Sequence, residues 1–255
     1  MIDVHSHLLP NIDDGSSSMA HSLDLARAAV ADGITHALMT PHHMNGRYTN
    51  HADDVIARTE AFQDALNQHN IPLTVYPCQE VHLNGGLIDA IDNDDILTTD
   101  ESGTYILIEF PHDDVPTYAA NMLFEVMQRG MTPVIVHPER NERLMAHPEL
   151  LFDLINRGCL SQITASSYVG TFGKKVQAFA DDIIAHGMGH VFASDAHHME
   201  KRDYEMNAAF KRLTREYNVE KAQTFEENAK ALVNGDPVHQ FRVSPIKKKR
   251  LFSKY

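Results

Sequence analysis

Met1-Ile-Asp-Val-His5-Ser-His7 opens the chain, and Asp14 follows seven residues after the second histidine. Side chains at i and i+2 of an extended strand share a face, so His5 and His7 can grip one metal ion. A lone His-x-His says little among 17 histidines. A second apolar run, Val191-Phe-Ala-Ser-Asp195-Ala-His197, ends in a matching Asp-x-His. Two such pairs, each closing a strand-like run and far apart in sequence, read as metal ligands rather than chance.

Composition narrows the setting. The chain has 255 residues, 43% of them hydrophobic, enough for one large α/β domain or two small ones with a full core and no disulfides. Two cysteines, Cys78 and Cys159, suit a reducing compartment, and their spacing suggests no structural zinc site. Neither a signal peptide nor an apolar stretch near the roughly 20 residues of a membrane span is visible, so the expected address is the cytoplasm. The formal net charge is −13, from 35 acidic and 22 basic residues. A field of that sign repels nucleic acid.

The rest of the chain alternates between two periodicities. Strand-like runs occupy 2–5, 34–39, 72–77, 105–109, 133–137, 160–164 and 190–194. Helical spacing follows most of them: Leu23, Ala26 and Val30 before Gly33; Ala120, Leu123, Phe124 and Met127 before Gly130. Pro148 starts a helix carrying Leu150, Leu151, Leu154 and Ile155 that stops at Gly158, and Val176, Phe179, Ala180, Ile183 and Ile184 precede Gly187. Two more helices, about 203–217 and 219–233, would pack outside. Seven strand–helix units imply parallel strands with right-handed crossovers, and a barrel more than an open sheet.

Polar residues fall at one end of these strands. His5 and His7 close the first, and Thr40-Pro-His42-His43 follows the second. Cys78-Gln-Glu80 follows the third, Glu109 ends the fourth, His137 ends the fifth, and Asp195 and His197 follow the seventh. In β/α barrels the active site lies at the C-terminal strand ends. Any one of these residues alone would be a surface polar group; six strands out of seven are not a coincidence. Five histidines and four carboxylates converging without cations would repel one another. Three divalent ions would leave the ring slightly positive, able to attract an anion and to lower the pKa of bound water. Mixed oxygen and nitrogen donors suit Mn²⁺, Fe²⁺ or Zn²⁺. Arg140, in His137-Pro-Glu-Arg140, and Arg202 lie beside the ring, where guanidinium groups fit phosphate.

These motifs resemble the polymerase and histidinol phosphatase (PHP) superfamily. The matching stretches are Ile2-Asp-Val-His-Ser-His7, Asp13-Asp14-Gly15, Thr40-Pro-His42, Glu80, Ile108-Glu109-Phe110, Thr132-Pro-Val-Ile-Val-His137-Pro-Glu-Arg140 and Ala193-Ser-Asp195-Ala-His197. Within it, the chain is similar to the Gram-positive capsule and exopolysaccharide tyrosine phosphatases of the CpsB type, from residue 1 to about 235. The resemblance implies a single-domain α/β fold, a distorted seven-stranded (β/α)7 PHP barrel, with a three-ion, usually manganese-loaded, site. By the same resemblance His5, His7, Glu80 and Asp195 hold one ion. Glu80 bridges to a second held by Glu109 and His137, and Asp14, His42 and His197 hold the third. Arg140 and Arg202 match phosphate-binding arginines, whereas His43 and His198 are expected outside the ligand set. The implied partner is a tyrosine-phosphorylated protein, the tyrosine-rich tail of a bacterial tyrosine kinase.

The expected chemistry is hydrolysis of phosphotyrosine, with Arg140 and Arg202 neutralising charge on the phosphoryl group and a metal or His42 assisting the leaving phenol. Other phosphatase designs fail. Cys-x5-Arg is absent, since Asn84 and Ala165 stand six residues beyond the cysteines, which are expected in the core or at strand ends. No Gly-x-Ser-x-Gly elbow occurs, and Gly170-Thr-Phe-Gly-Lys is too short for a phosphate-binding loop. Three rivals stay open: a histidinol-phosphate-type phosphatase, an amidohydrolase, and a non-catalytic PHP binding module. The expected division is a 1–240 catalytic domain and a 241–255 basic tail, with Lys247-Lys-Lys-Arg250 near its end. The tail reads either as a solvated extension or as a peripheral contact with anionic membrane at the inner face.

Overall fold

Alternating apolar residues build the strands, and their two faces feed two cores. The computed structural model describes residues 1–197 and 204–247. Its strands are β1 (Ile2–Ser6), β2 (His36–Met39), β3 (His42–His43), β4 (Thr74–Pro77), β5 (Glu80–His82), β6 (Tyr105–Glu109), β7 (Thr132–Val136), β8 (Leu160–Thr164) and β9 (Val191–Ala193). Val4, Leu38, Leu107, Val134, Val136, Leu160 and Val191 gather on one face of these strands, together with Ala229 and Leu232 of the helix Val219–Asn234. Ala37, Met39, Ile106, Ile108, Ile135, Ile163 and Phe192 point the other way, into the larger core under the helices. Burial on both faces is the signature of parallel strands covered by crossover helices.

Pairing is parallel throughout, in a three-stranded sheet ordered β1-β2-β4 and a six-stranded sheet ordered β3-β5-β6-β7-β8-β9. All seven predicted strands are present. Two of them, those predicted at 34–39 and 72–77, break for two residues and resume as β3 and β5. Across the break the register stays in step, with Met39 opposite Pro77 and His42 opposite Glu80. Chain start and late chain also meet: Asp195 N donates to the His5 carbonyl at 2.9 Å and His7 N to the Ala196 carbonyl at 3.0 Å. The fold is therefore a single mixed α/β unit with parallel sheets, as expected in kind.

The predicted helices appear at Met19–Asp32, Ala119–Gln128, Pro148–Asn156, Lys174–Ala185, Met206–Glu216 and Val219–Asn234. Ser18 caps the first by accepting from His21 N, and Gly33, at φ 97°, ends it. The helix Ala52–Gln68 was not anticipated, although Val55, Thr59, Phe62 and Leu66 give it a buried stripe at helical spacing. Both cysteines are buried, and burial pushes each thiol up to about 12, as expected of core residues. Beyond the last helix, Phe241, Val243 and Ile246 pack on the core and Ser244 N donates to the His186 carbonyl at 3.0 Å. The basic residues 248–255 lie outside the described residues, as do His198 and Arg202. Among the described residues, no helix is long and apolar enough to cross a membrane.

Candidate metal centre

The strands deliver their terminal polar residues to one point. His5 and His7, one residue apart on β1 and its exit, bring their Nε2 atoms within 3.0 Å of each other. Both lie 3.3 Å from Glu80 Oε2, and 3.6 and 3.5 Å from Asp195 Oδ1. Glu80 reaches further: His137 Nε2 is 2.7 Å from its Oε1, and His42 Nδ1 is 2.8 Å from its Oε2. Glu109 joins through His42 Nδ1 at 3.7 Å. Asp14 Oδ1 lies 3.3 Å from His42 Nε2 and 3.5 Å from His197 Nε2. All nine residues expected as ligands thus meet in one ring.

Local backbone geometry aims them. Asp195 and His137 adopt left-handed φ values of 50° and 36°, sparsely populated conformations that turn each strand end sharply into the ring. Asp3 accepts from Ser194 N at 2.9 Å and so fixes the residue before Asp195 against β1. Gly15 is required by sterics, because a Cβ there would come within 2.2 Å of the His7 carbonyl oxygen.

A layer of partners orients the imidazoles. Asp13 Oδ2 accepts from His7 Nδ1 at 2.7 Å, and from His42 N at 3.2 Å. Gln162 Oε1 on β8 accepts from His5 Nδ1 at 3.0 Å. Each bond leaves the Nε2 of its histidine facing the ring, the arrangement by which second-layer partners select a ligand tautomer. Sequence reading placed no ring residue on β8; the strand contributes by holding one. His82, 3.1 Å from Glu109 Oε2, was also not foreseen. His43 follows His42 on β3 and so points to the opposite face, where it is buried 3.8 Å from Asp95.

Imidazoles and carboxylates of the ring shift one another's ionisation in opposite directions. Burial alone would depress the His7 imidazole, but Asp13 and Glu80 raise it to about 9. Burial of His42 is likewise outweighed, by Glu80 and Asp14, which lift it to about 12. Burial opposes ionisation of Glu80, yet His42 and His5 hold it well below the usual carboxylate range. Asp195 is held low against its burial by Arg140 and His197. His197 and His42 hold Asp14 low. Buried carboxylates that ionise only beside a matched positive charge are what a cation site requires.

The donor set fits metal. Three groups have ligand atoms within 4.8 Å of one another: His7, Asp14, His42 and His197; His5, His7 and Glu80; and His42, Glu80 and Glu109. His7, His42 and Glu80 each stand in two of them, so every pair of groups shares one residue. A cavity of about 340 Å³ opens above, lined on its charged side by Asp14, His42, His137, Arg140, Asp195 and His197. Arg140 pairs there with Asp195, and its guanidinium carbon sits 5.3 Å from the Phe172 ring centre.

Known proteins resemble this chain over nearly its whole length. Tyrosine-protein phosphatase YwqE of Bacillus subtilis is 37% identical over 252 residues, spanning 99% of each chain. The putative tyrosine-protein phosphatase CapC of Staphylococcus aureus is 32% identical, again over 99% of each. A crystal structure of YwqE, described as a metal-dependent tyrosine phosphatase, superposes with a TM-score of 0.92, covering 97% of this chain and all of that one. A phosphotriesterase homology protein from Escherichia coli shares the fold alone, with a TM-score of 0.58 at 11% identity over 90% of this chain and 97% of that one. The family profile for capsular polysaccharide synthesis proteins, CpsB/CapC, matches residues 1–234. Over nearly its whole length, this chain belongs to the CpsB/CapC family.

Proposed function

We propose that this protein is a metal-dependent tyrosine-protein phosphatase acting on a phosphotyrosine protein in capsular or exopolysaccharide synthesis. The observation that carries the reading is the ring of His5, His7, His42, His137, His197, Asp14, Glu80, Glu109 and Asp195, on a chain matched end to end by phosphatases. Its two sheets act as one distorted barrel of seven staves, closed where β1 meets the residues after β9. The catalytic domain extends past the expected boundary at 240 to about residue 246, since Phe241, Val243 and Ile246 pack on its core, with the basic stretch beyond as an extension.

The ring would hold three divalent ions, manganese in our reading with Fe²⁺ or Zn²⁺ as the other chemically suitable choices. Bound ions supply Lewis acidity and water activation for in-line attack on phosphorus. The chain's own residues do the rest. Arg140 lines the cavity with a planar fork matched to phosphoryl oxygens, and neutralises charge as it spreads in the transition state. Arg202 is assigned the same role by its family position. Asp13 and Gln162 keep His7 and His5 in the ligand tautomer. Both nitrogens of His42 face carboxylates, which supports a ligand role over that of an acid to the leaving phenol. A phenol, with a pKa near 10, needs little such help. The substrate is taken to be a bacterial tyrosine kinase tail, met at the inner face of the membrane.

Chelation of the full-length protein should abolish hydrolysis of a phosphotyrosyl peptide and Mn²⁺ should restore it, while Cys78→Ser/Cys159→Ser retains most activity. Faster turnover of histidinol phosphate than of the peptide would reassign the substrate. Full activity in chelator, lost in the cysteine variant, would overturn the metal reading.

A further inference from the structure

Gly170-Thr171-Phe172-Gly173 is no phosphate loop, yet it reaches the cavity. The short helix Ala165–Val169 ends at Gly170, whose φ of 102° reverses the chain. Gly173, at φ 91°, donates its N–H to the Gly170 carbonyl at 3.0 Å and closes a four-residue turn. A Cβ on Gly170 would come within 2.9 Å of the Gln177 side chain, so the turn is tightly seated. Thr171 Oγ1 donates to Glu205 at 2.6 Å and ties the turn to the neighbouring segment. At its tip Phe172 is half-buried, lining the cavity beside Arg140.

The cavity is thus two-sided. Its floor is the charged ring with Arg140; its wall includes Phe172, Phe110 and Leu144. A phosphoryl group held on the floor beside Arg140 places its organic half near the neutral residues that line the same cavity, among them Phe110, Leu144 and Phe172. Phe172 is singled out among them by its contact with the Arg140 guanidinium, whose carbon lies 5.3 Å from the ring centre. We propose that the Gly170–Gly173 turn carries an aryl-binding subsite, in which the face of Phe172 packs against the phenol ring of the substrate. An alkyl ester in the same place gains much less, since ring–ring contact adds to simple burial. The same ring holds the Arg140 guanidinium by a cation–π contact, linking aryl recognition to phosphate recognition. This subsite rests on the phosphomonoesterase reading of the ring.

Calorimetric binding of phenylphosphonate and methylphosphonate to the manganese-loaded, full-length protein tests it without relying on turnover. Wild type should favour phenylphosphonate. Phe172→Ala should weaken phenylphosphonate about tenfold and leave methylphosphonate within twofold. Phe172→Tyr should restore the preference, and Phe172→Leu, which keeps apolar bulk if alanine perturbs folding, should restore part of it. Metal content and melting temperature should not move. An unchanged phenyl-to-methyl ratio in Phe172→Ala overturns the subsite. An equal weakening of both ligands also overturns it, leaving Phe172 only to position Arg140. If wild type fails to hydrolyse phosphotyrosine, the functional reading falls, but the phosphonate ratio still reports on the subsite.

Discussion

The floor and the wall of the cavity are built on different physical terms. The floor joins residues as far apart as His5 and His197 through paired charges, most of them buried. The wall holds neutral side chains, among them Phe110, Leu144 and Phe172. On the proposed reading, floor residues set whether any phosphate ester reacts and wall residues set which one. Substitutions in the two places should therefore fail differently.

Glu80→Gln should do the most damage. Glu80 is buried and touches His5, His7, His42 and His137, so losing its charge removes the common centre of the ring. Turnover of every phosphate ester should fall on the order of 10³-fold or more, with metal content reduced. Metal analysis and assays on aryl and alkyl esters check both parts. A variant that retained full metal would remove Glu80 from the centre.

Arg140→Ala comes next, with kcat lowered on the order of 10²-fold and metal content retained. Arg140→Lys should rescue poorly, because an ammonium cannot reproduce the planar fork or its seat on Phe172. Wild-type kinetics in both would move the phosphoryl group elsewhere.

Asp13→Asn acts one layer out. The carboxylate that orients His7 becomes a neutral amide, and metal affinity should weaken roughly 10–100-fold, measured by competition with a chelator. Activity should return at high Mn²⁺, which separates Asp13 from Glu80. Failure of saturating metal to restore turnover would give Asp13 a direct catalytic part.

An effect on stability rather than on activity lies just before β9, at its base. His190 is buried, its Nδ1 accepts from Ser161 N at 3.1 Å, and burial lowers it to about 4. The unfolded chain takes up a proton near pH 6.5 and the folded chain does not. This histidine therefore contributes stability above pH 6.5 that is lost as pH falls toward 4, on the order of 3 kcal/mol. In chelated protein, His190→Gln should flatten that part of the pH–stability curve. An equally steep curve would place the acid lability in the ring.

Much of the floor was legible because ligand chemistry leaves a local mark. His5-Ser-His7 and Asp195-Ala-His197 announce a shared face by their spacing alone. Helices such as Lys174–Ala185 were legible from periodicity. The breaks that turn two strands into four were not, since Thr40-Pro41 and Cys78-Gln79 interrupt pairing without disturbing register. Gln162 could not be assigned to His5, because a glutamine on a buried strand carries no sign of its partner 157 residues away. Phe172 was hidden for the same reason: its role depends on where a glycine turn lands in space.

The junction between β1 and the residues after β9 has a consequence for biosynthesis. His5 and His7 leave the ribosome first among the ring residues, whereas Asp195, whose N–H donates to the His5 carbonyl, emerges about 190 residues later. Closing so long a loop is slow, and no partial chain lacking β9 contains the full donor set. The complete ring therefore forms only once the two ends of the chain have joined, and no earlier stage of the chain presents all nine donors together.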